Sequence, residues 1–412
     1  MFRLTIPFLT LSLTSITSAL PDWTQWRGPT RDSQIHQSAS AWPDSINGDN
    51  LKKLWSVELG PGYSSPIISG SRIFTVETKD KKEEIVRAFD RSSGKQLWSA
   101  NWSGAMRVPF YAAKNGSWVR STPATDGKTL FVGGMRDVLV ALDVETGKER
   151  WRKDYPNEEK TPNPSFGFVS SPLLEDDHLY VQVGTALRKI KKSNGETVWK
   201  ALPDERAMFG SAFSSPVRAK IHGQDQILVQ TRTILAGVSP KTGQPFWTTP
   251  VEAFRGMNIL PPTPIGNSLF TATYGGGSFR FDVSKDNQTL TTSKAWQDKK
   301  REGYMSSPLV IDDKVYLHGR DKRFHCIDPS TGKTLWSSEE KFGEYWSLVV
   351  QGKRVLALDQ RGILMLIEAN PEKFDLVSKH SLDLPSTWAH LAVTGDQIYV
   401  RHLNGLCAYR WK

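Results

Sequence analysis

The chain has 412 residues, a formal charge of +10, 38% apolar residues and two cysteines, Cys326 and Cys407. Such a length normally means two or three domains, unless a core grows with each copy of a repeat. A positive balance favours anionic partners such as nucleic acid, acidic polysaccharide or lipid headgroups. Most basic residues nevertheless stand singly (Lys95, Lys148, Lys241, Lys333), and the densest runs, Lys189 to Lys192 and Lys299 to Arg301, are short. That pattern reads as a solvated surface and argues against nucleic-acid binding.

Taken in order, the chain opens with Arg3, an apolar run from Leu4 to Ile16, and Thr17-Ser18-Ala19. Residues 1–19 therefore read as a cleaved secretory signal peptide, the run being too short and too rich in Thr and Ser to span a bilayer. No cysteine lies near the cleavage site to carry a lipid anchor. The product is expected to be periplasmic or secreted, with no transmembrane segment and a charge of about +9. Residues 20–49 are rich in Pro, Gly, Ser and Asp, lack periodicity and hold Trp23, Trp26 and Trp42. They read as an extended arm pinned by its tryptophans to the body, residues 50–412.

The body is repetitive. Ser/Thr-Pro opens a unit at Pro66, Pro123, Pro172, Pro216, Pro264 and Pro308, and two further units open without proline near Trp346 and Trp388. The mean spacing is about 46 residues, the length of a four-stranded propeller blade of the WD40-like kind. Proline suits the edge strand of a blade, where it lines the channel. Three more strands follow, the last two joined by a turn with glycine at Gly94, Gly147, Gly195, Gly243 or Gly332. A short hairpin loop needs a residue at positive φ there. An aspartate four residues earlier (Asp90, Asp143, Asp328) can accept N–H bonds inside the turn. A tryptophan follows four residues later, at Trp98, Trp151, Trp199, Trp247 and Trp336, where an indole can pack on the next blade.

The eighth unit stops after three strands, while Leu51-Lys52-Lys53-Leu54-Trp55 matches Gly332-Lys333-Thr334-Leu335-Trp336. The spacing thus predicts an all-β fold, an eight-bladed β-propeller of four-stranded antiparallel blades. Its ring is closed by the N-terminal strand, which completes the C-terminal blade. An open β-solenoid is the alternative, and the match of the two chain ends counts against it. After Phe281-Asp282 the expected tryptophan is displaced to Trp296 or lost, and after Ile367 the unit has none. Both cysteines occupy equivalent places in separated units, too far apart for a disulfide, so two buried thiols are expected.

Function should lie in departures from the repeat. The longest insertion runs from Ala100 to Val119 and carries Arg107, Tyr111 and Trp118; Pro156–Phe168 and Glu252–Pro262 are shorter. All three join outer strands to inner ones and should share a face. Residues just before each opening, namely Tyr63, Arg120, Phe213, Tyr304, Trp346, Trp388 and His390, should ring the channel mouth. Such a ring can either hold a flat or anionic ligand or simply fill the channel. The histidines show no metal-ligand spacing, and no nucleophile elbow or phosphate loop is present. No catalytic residue and no metal site are assigned.

The unit Ala141-Leu142-Asp143-Val144-Glu145-Thr146-Gly147-Lys148-Glu149-Arg150-Trp151 resembles the pyrroloquinoline-quinone-like (PQQ-like) repeat, and the resemblance covers residues 51–412. Two branches of that family imply different functions. Quinoprotein dehydrogenases hold PQQ with Ca²⁺ and use an acidic base, and the alcohol enzymes add a disulfide between adjacent cysteines. This chain has no adjacent cysteines, and no Glu, Asn and Asp positions match that site. The propeller of the outer-membrane β-barrel assembly machinery (BamB) is an eight-bladed periplasmic scaffold of similar length that needs no cofactor. That branch implies an exported, non-catalytic scaffold binding a protein or cell-envelope component. A PQQ-dependent oxidoreductase with an atypical site is the alternative, and binding of an anionic polysaccharide through the basic surface and the Trp118 loop is a third.

Overall fold

A computed structural model describes residues 22–35, 41–204 and 212–411. The signal-peptide expectation lies outside these residues. Among the described residues, thirty-two strands form eight separate four-stranded antiparallel sheets. The fold is an eight-bladed propeller with almost no helix. The first blade, Ile67–Ser69, Arg72–Lys79, Glu83–Asp90 and Gln96–Ser103, shows the plan: a short inner strand, then three longer ones outward. In the eighth, Ala392–Thr394, Gln397–His402 and Gly405–Trp411 take their fourth strand from Leu51–Glu58, with Leu51 opposite Trp411. No described helix is long and apolar enough to cross a membrane.

The tryptophans join the blades. The indole N–H of Trp55, Trp98, Trp151 and Trp199 donates to a carbonyl of the next blade's turn: Arg91, Val144, Lys192 and Pro240, at 2.8–3.3 Å. Each also packs on an aromatic of its own blade, as Trp98 does on Phe74 at 5.8 Å. The turn glycine lies directly against the indole, so that a methyl on Gly94, Gly147, Gly195 or Gly243 would come within 2.5–2.7 Å of its carbons. Glycine is thus needed for φ near +70° and for close approach together. Burial of each indole contributes on the order of 2–3 kcal/mol to its seam. The turn aspartates accept the N–H groups expected of them, and hydrogen bonds from Arg150 and Thr146 hold the Asp143 carboxyl down at about 2.

The two drifted units resolve differently. Trp296 takes the regular role in the fifth blade, donating to Pro329 O at 2.8 Å. The fifth blade's own turn is a long hairpin, and Trp247, which should have met a glycine there, donates instead to Gln226 of its own blade at 2.8 Å. The outer strand of the seventh blade, Asp375–Ser381, has no tryptophan, and the blade beyond it has no turn, because its outer strand comes from the N-terminal side of the ring. The arm fills that seam. Trp42 and Ile46, both buried, join the cluster of Leu364 and Leu366 with Tyr409 and Trp411, and Trp42 packs on Trp411 at 5.3 Å. The Ile46 N–H donates to Ser378 Oγ.

Every outer strand carries a bulge beside the tryptophan slot, such as Leu97 between Gln96 and Trp98, which face Phe89 and Ala88. The extra residue turns the indole toward the next blade. It also accounts for the exposure of Leu54, Leu97, Val198 and Val377, the residues that occupy the bulges. Cys326 and Cys407 are buried free thiols.

Candidate ligand site at the channel mouth

Residues 22–35 of the arm close one end of the channel. Trp23 bridges to Ile68, the Thr24 carbonyl accepts from Thr125 N–H, and Gln25 Oε1 accepts from Leu174 N–H. On the far side Ile35 N–H donates to the Val350 carbonyl at 2.8 Å. Two buried arginines cross-brace the plug: Arg27 Nη2 donates to Pro308 O at 2.9 Å, and Arg31 donates to Pro172 O and Ser171 O at 2.5 and 3.1 Å. Burial lowers these guanidiniums to about 10 and about 9, because carbonyls only partly replace water around the charge. Both pack against the Trp26 ring, at 5.6 and 5.5 Å from its centre.

Above Trp26 the channel is a cup of about 160 Å³. Tyr63, Arg120, Phe213, Trp388 and His390 stand in its wall. Arg120 lies over the Tyr63 ring at 5.4 Å and donates from Nη2 to Gly116 O at 2.8 Å. Tyr63 also contacts Trp118 at 5.5 Å and Trp388 at 5.8 Å. Desolvation pushes the Tyr63 phenol up to about 12, against the pull of Arg120. His390 is buried and spoken for on both nitrogens: Nδ1 contacts Leu391 O at 2.9 Å and Nε2 contacts Ser33 Oγ at 3.2 Å. Since a carbonyl only accepts, Nδ1 carries the hydrogen and Nε2 accepts from the serine, which in turn accepts from Arg27 Nε at 2.8 Å. Desolvation, with Arg27 nearby, lowers this imidazole to about 3.

The structure places two expected mouth residues elsewhere. Tyr63, Arg120, Phe213 and Met305 line the cup from three positions before their prolines, whereas Tyr304 is one residue off that register. Alternation turns it outward, where it packs on Tyr274 at 5.6 Å. Trp346 is wholly buried and stacked on His318 at 4.8 Å. Without a proline to end the ladder, the seventh inner strand runs from Trp346 to Gln351, and its first side chain enters the core.

The three insertions share the face around this mouth. Phe110, Tyr111, Phe166 and Phe213 form a run of edge and tilted contacts at 5.4–6.3 Å that descends into the cup. Phe110 is 90% exposed and Tyr111 51%, and Arg107 is exposed beside them. On the third insertion, Phe254 packs on Tyr274, which Arg320 covers at 4.1 Å.

Sequence reasoning missed the belt beneath the mouth. The hydroxyl before four of the six opening prolines accepts the N–H of the equivalent residue in the preceding blade: His390 to Ser65, Ser65 to Thr122, Thr122 to Ser171 and Ser171 to Ser215, at 2.8–3.1 Å. The recurrence of Ser or Thr before proline was the visible signal. The place of Trp26 as the cup's floor had none beyond the presence of the residue in the arm.

The lining does not fit PQQ with Ca²⁺. Among the described residues the cup wall holds no carboxylate or carboxamide, and no three His, Cys, Asp or Glu side chains cluster as metal ligands. Calcium requires oxygen ligands, largely carboxylates and carbonyls, and three guanidiniums beside the cup oppose a cation.

The fold has relatives among known proteins. The chain is similar over 89% of its length to the outer membrane protein assembly factor BamB of Yersinia pestis, at 22% identity and covering 90% of that protein. It is 26% identical to a 1-butanol dehydrogenase (cytochrome c) of Thauera butanivorans, over 76% of this chain but only 39% of that enzyme. The crystal structure of BamB from Moraxella catarrhalis superposes with a TM-score of 0.62 at 16% identity, covering 88% of this chain and 98% of that one, a likeness of fold. Residues 81–338, more than half of the chain, match the model of a family described as outer membrane protein assembly factor BamB, and to that family this propeller belongs.

Proposed function

We propose that this protein is an exported, non-catalytic scaffold that binds a protein of the cell envelope through its insertion-loop face and channel mouth. One observation carries the reading: an aromatic run leads from the exposed Phe110 and Tyr111 through the half-buried Phe166 across that face to Phe213 in the cup. An aromatic as exposed as Phe110 gains little in the free chain and much when a partner covers it. The same face carries Arg107, Arg255 and Arg320, and aromatics with arginine are the residue types enriched in protein interfaces. The chemistry of the wall supports binding over turnover, since its histidine is neutral with both nitrogens occupied and no acid stands beside it. Relatives named as outer membrane assembly factors agree with a role in the envelope.

A photo-crosslinking residue placed at Phe110, Tyr111 or Phe254, in cells, tests this. Adducts with one or a few envelope proteins are expected from those positions and none from Gly127 or Gly223, at tight turns of the blades away from the insertions. Equal labelling from both sets, or none from the insertions, would refute it.

A further inference from the structure

We infer that the cup over Trp26 is a receptor for an organic carboxylate, either a small free acid or the C-terminal carboxylate of a polypeptide. The inference deepens the proposed binding role of the channel mouth and rests on it. Its first support is the direction in which the belt's hydroxyls are left to donate. Ser65, Thr122, Ser171 and Ser215 line the cup, and each already accepts a backbone N–H from the neighbouring blade. A hydroxyl is one donor with two acceptor lone pairs. The ring occupies one lone pair of each, the hydrogen is the donor each has left to offer, and among the described residues none of these four hydrogens has an acceptor. Four O–H donors from four successive blades thus converge on one small space.

The second support is charge. Arg120 stands in the wall, and its Nε, shut off from water, has no hydrogen-bond partner among the described residues. Arg27 and Arg31 lie under the floor with only carbonyls and a serine as their partners. Asp32, which accepts from Thr30 Oγ1 and the Gln34 N–H within the arm, acts on Arg27 through its charge, whereas no carboxylate is among the charges that act on Arg31 or Arg120. No described acid reaches the cup. Charged groups held in a low-dielectric site without a counter-ion favour an anion strongly, and guanidinium matches the fork of a carboxylate.

The remaining wall selects among anions. Trp26, Tyr63, Phe213 and Trp388 present ring faces and edges, and the volume of about 160 Å³ suits a body of one ring. Inorganic sulfate or phosphate would use the donors and leave the aromatic wall uncovered. A ring bearing a carboxylate uses both.

Titration calorimetry on the whole mature chain with benzoate and its neutral isostere benzamide tests the inference without any substitution. Benzoate is expected to bind at least tenfold more tightly than benzamide, and Arg120→Met to weaken benzoate at least tenfold while leaving the melting temperature within a few degrees. A short peptide ending in phenylalanine, as free acid and as amide, separates the sources. Tighter binding of the free acid than of benzoate assigns a chain terminus; binding of benzoate alone assigns a small acid. Equal affinity for benzoate and benzamide, no binding of either benzoate or the peptide acid, or unchanged benzoate affinity in folded Arg120→Met would overturn the inference. If crosslinks from Phe110 persist while benzoate fails, only the carboxylate assignment falls; if the crosslinks fail as well, so does the scaffold reading.

Discussion

Gly147 and Gly223 have nearly the same backbone, φ of +71° and +74°, and differ in what lies beside them. A Cβ on Gly223 would meet nothing within 4 Å, whereas one on Gly147 would stand 2.5 Å from the Trp98 ring. Replacement by alanine costs both sites the left-handed penalty, about 1 kcal/mol. At Gly147 the indole must also move, loosening its hydrogen bond to Val144 O and its contact with Phe74. Overpacking of that kind costs a further ~1–3 kcal/mol. Gly147→Ala should therefore lose ~2–4 kcal/mol and Gly223→Ala about 1 kcal/mol, read as shifts in the urea midpoint at constant slope. In a Trp98→Ala background the Gly147 change should shrink to the backbone penalty alone, so the cycle yields a coupling of ~1–3 kcal/mol. Equal losses at the two glycines, or no coupling to Trp98, would show that the indole does not set the choice of glycine in these turns.

Thr122→Val keeps the shape of the belt but leaves the buried Ser65 N–H without its acceptor, and should cost ~1–3 kcal/mol in chemical denaturation, against near neutrality for Glu145→Gln, which removes only an exposed ion pair with Arg72. Stability should fall on acidification below pH 6.5. Desolvation lowers His318 and His390 to about 3 and His402 to about 4, so the unfolded chain takes protons that the folded one refuses. Burial raises Glu84 and Asp137 to about 7, which costs stability in the other direction, as pH rises through 4.5 to 7. Three groups against two leave a net loss of about 1 kcal/mol per pH unit between 6.5 and 5. Replacing Glu84 and Asp137 by their amides should steepen it, and a melting temperature that rises on acidification would contradict the assignment. A thiol reagent should find neither cysteine in the native protein and both after unfolding, since both are buried and desolvation raises the Cys326 thiol to about 11. Fast native labelling would mean that a blade opens.

The ring was legible because its rules are local: a turn with glycine, a tryptophan four residues on, and a matching half-unit at each end. The site was legible only where the repeat holds. Tyr63, Arg120 and Phe213 share one register and share the cup; Tyr304 stands one residue before that register, and Trp346, in a unit without an opening proline, falls inside an inner strand. What stayed hidden depends on contacts across the whole sequence. The hydroxyl of Ser171 looks like any serine before proline until its neighbour blade is in place, and nothing in Trp26 or Arg31 says that they end beneath blades more than a hundred residues away. Trp42 replaces the tryptophan missing from the outer strand of the seventh blade, a substitution between distant segments that periodicity cannot register.

The eighth blade is built from both ends of the chain, and this sets a clock on folding. While the protein emerges, the strand Leu51–Glu58 has no partner on either edge until Gly405–Trp411 arrives some 350 residues later. Pairing across that separation makes the slowest step a closure, with its entropy spent before its contacts form. The arm arrives early and its blades late, so the plug must wait in place or thread in as the ring shuts. Unlike an open array, which can lose an end repeat and survive, this ring should unfold once either terminus lets go.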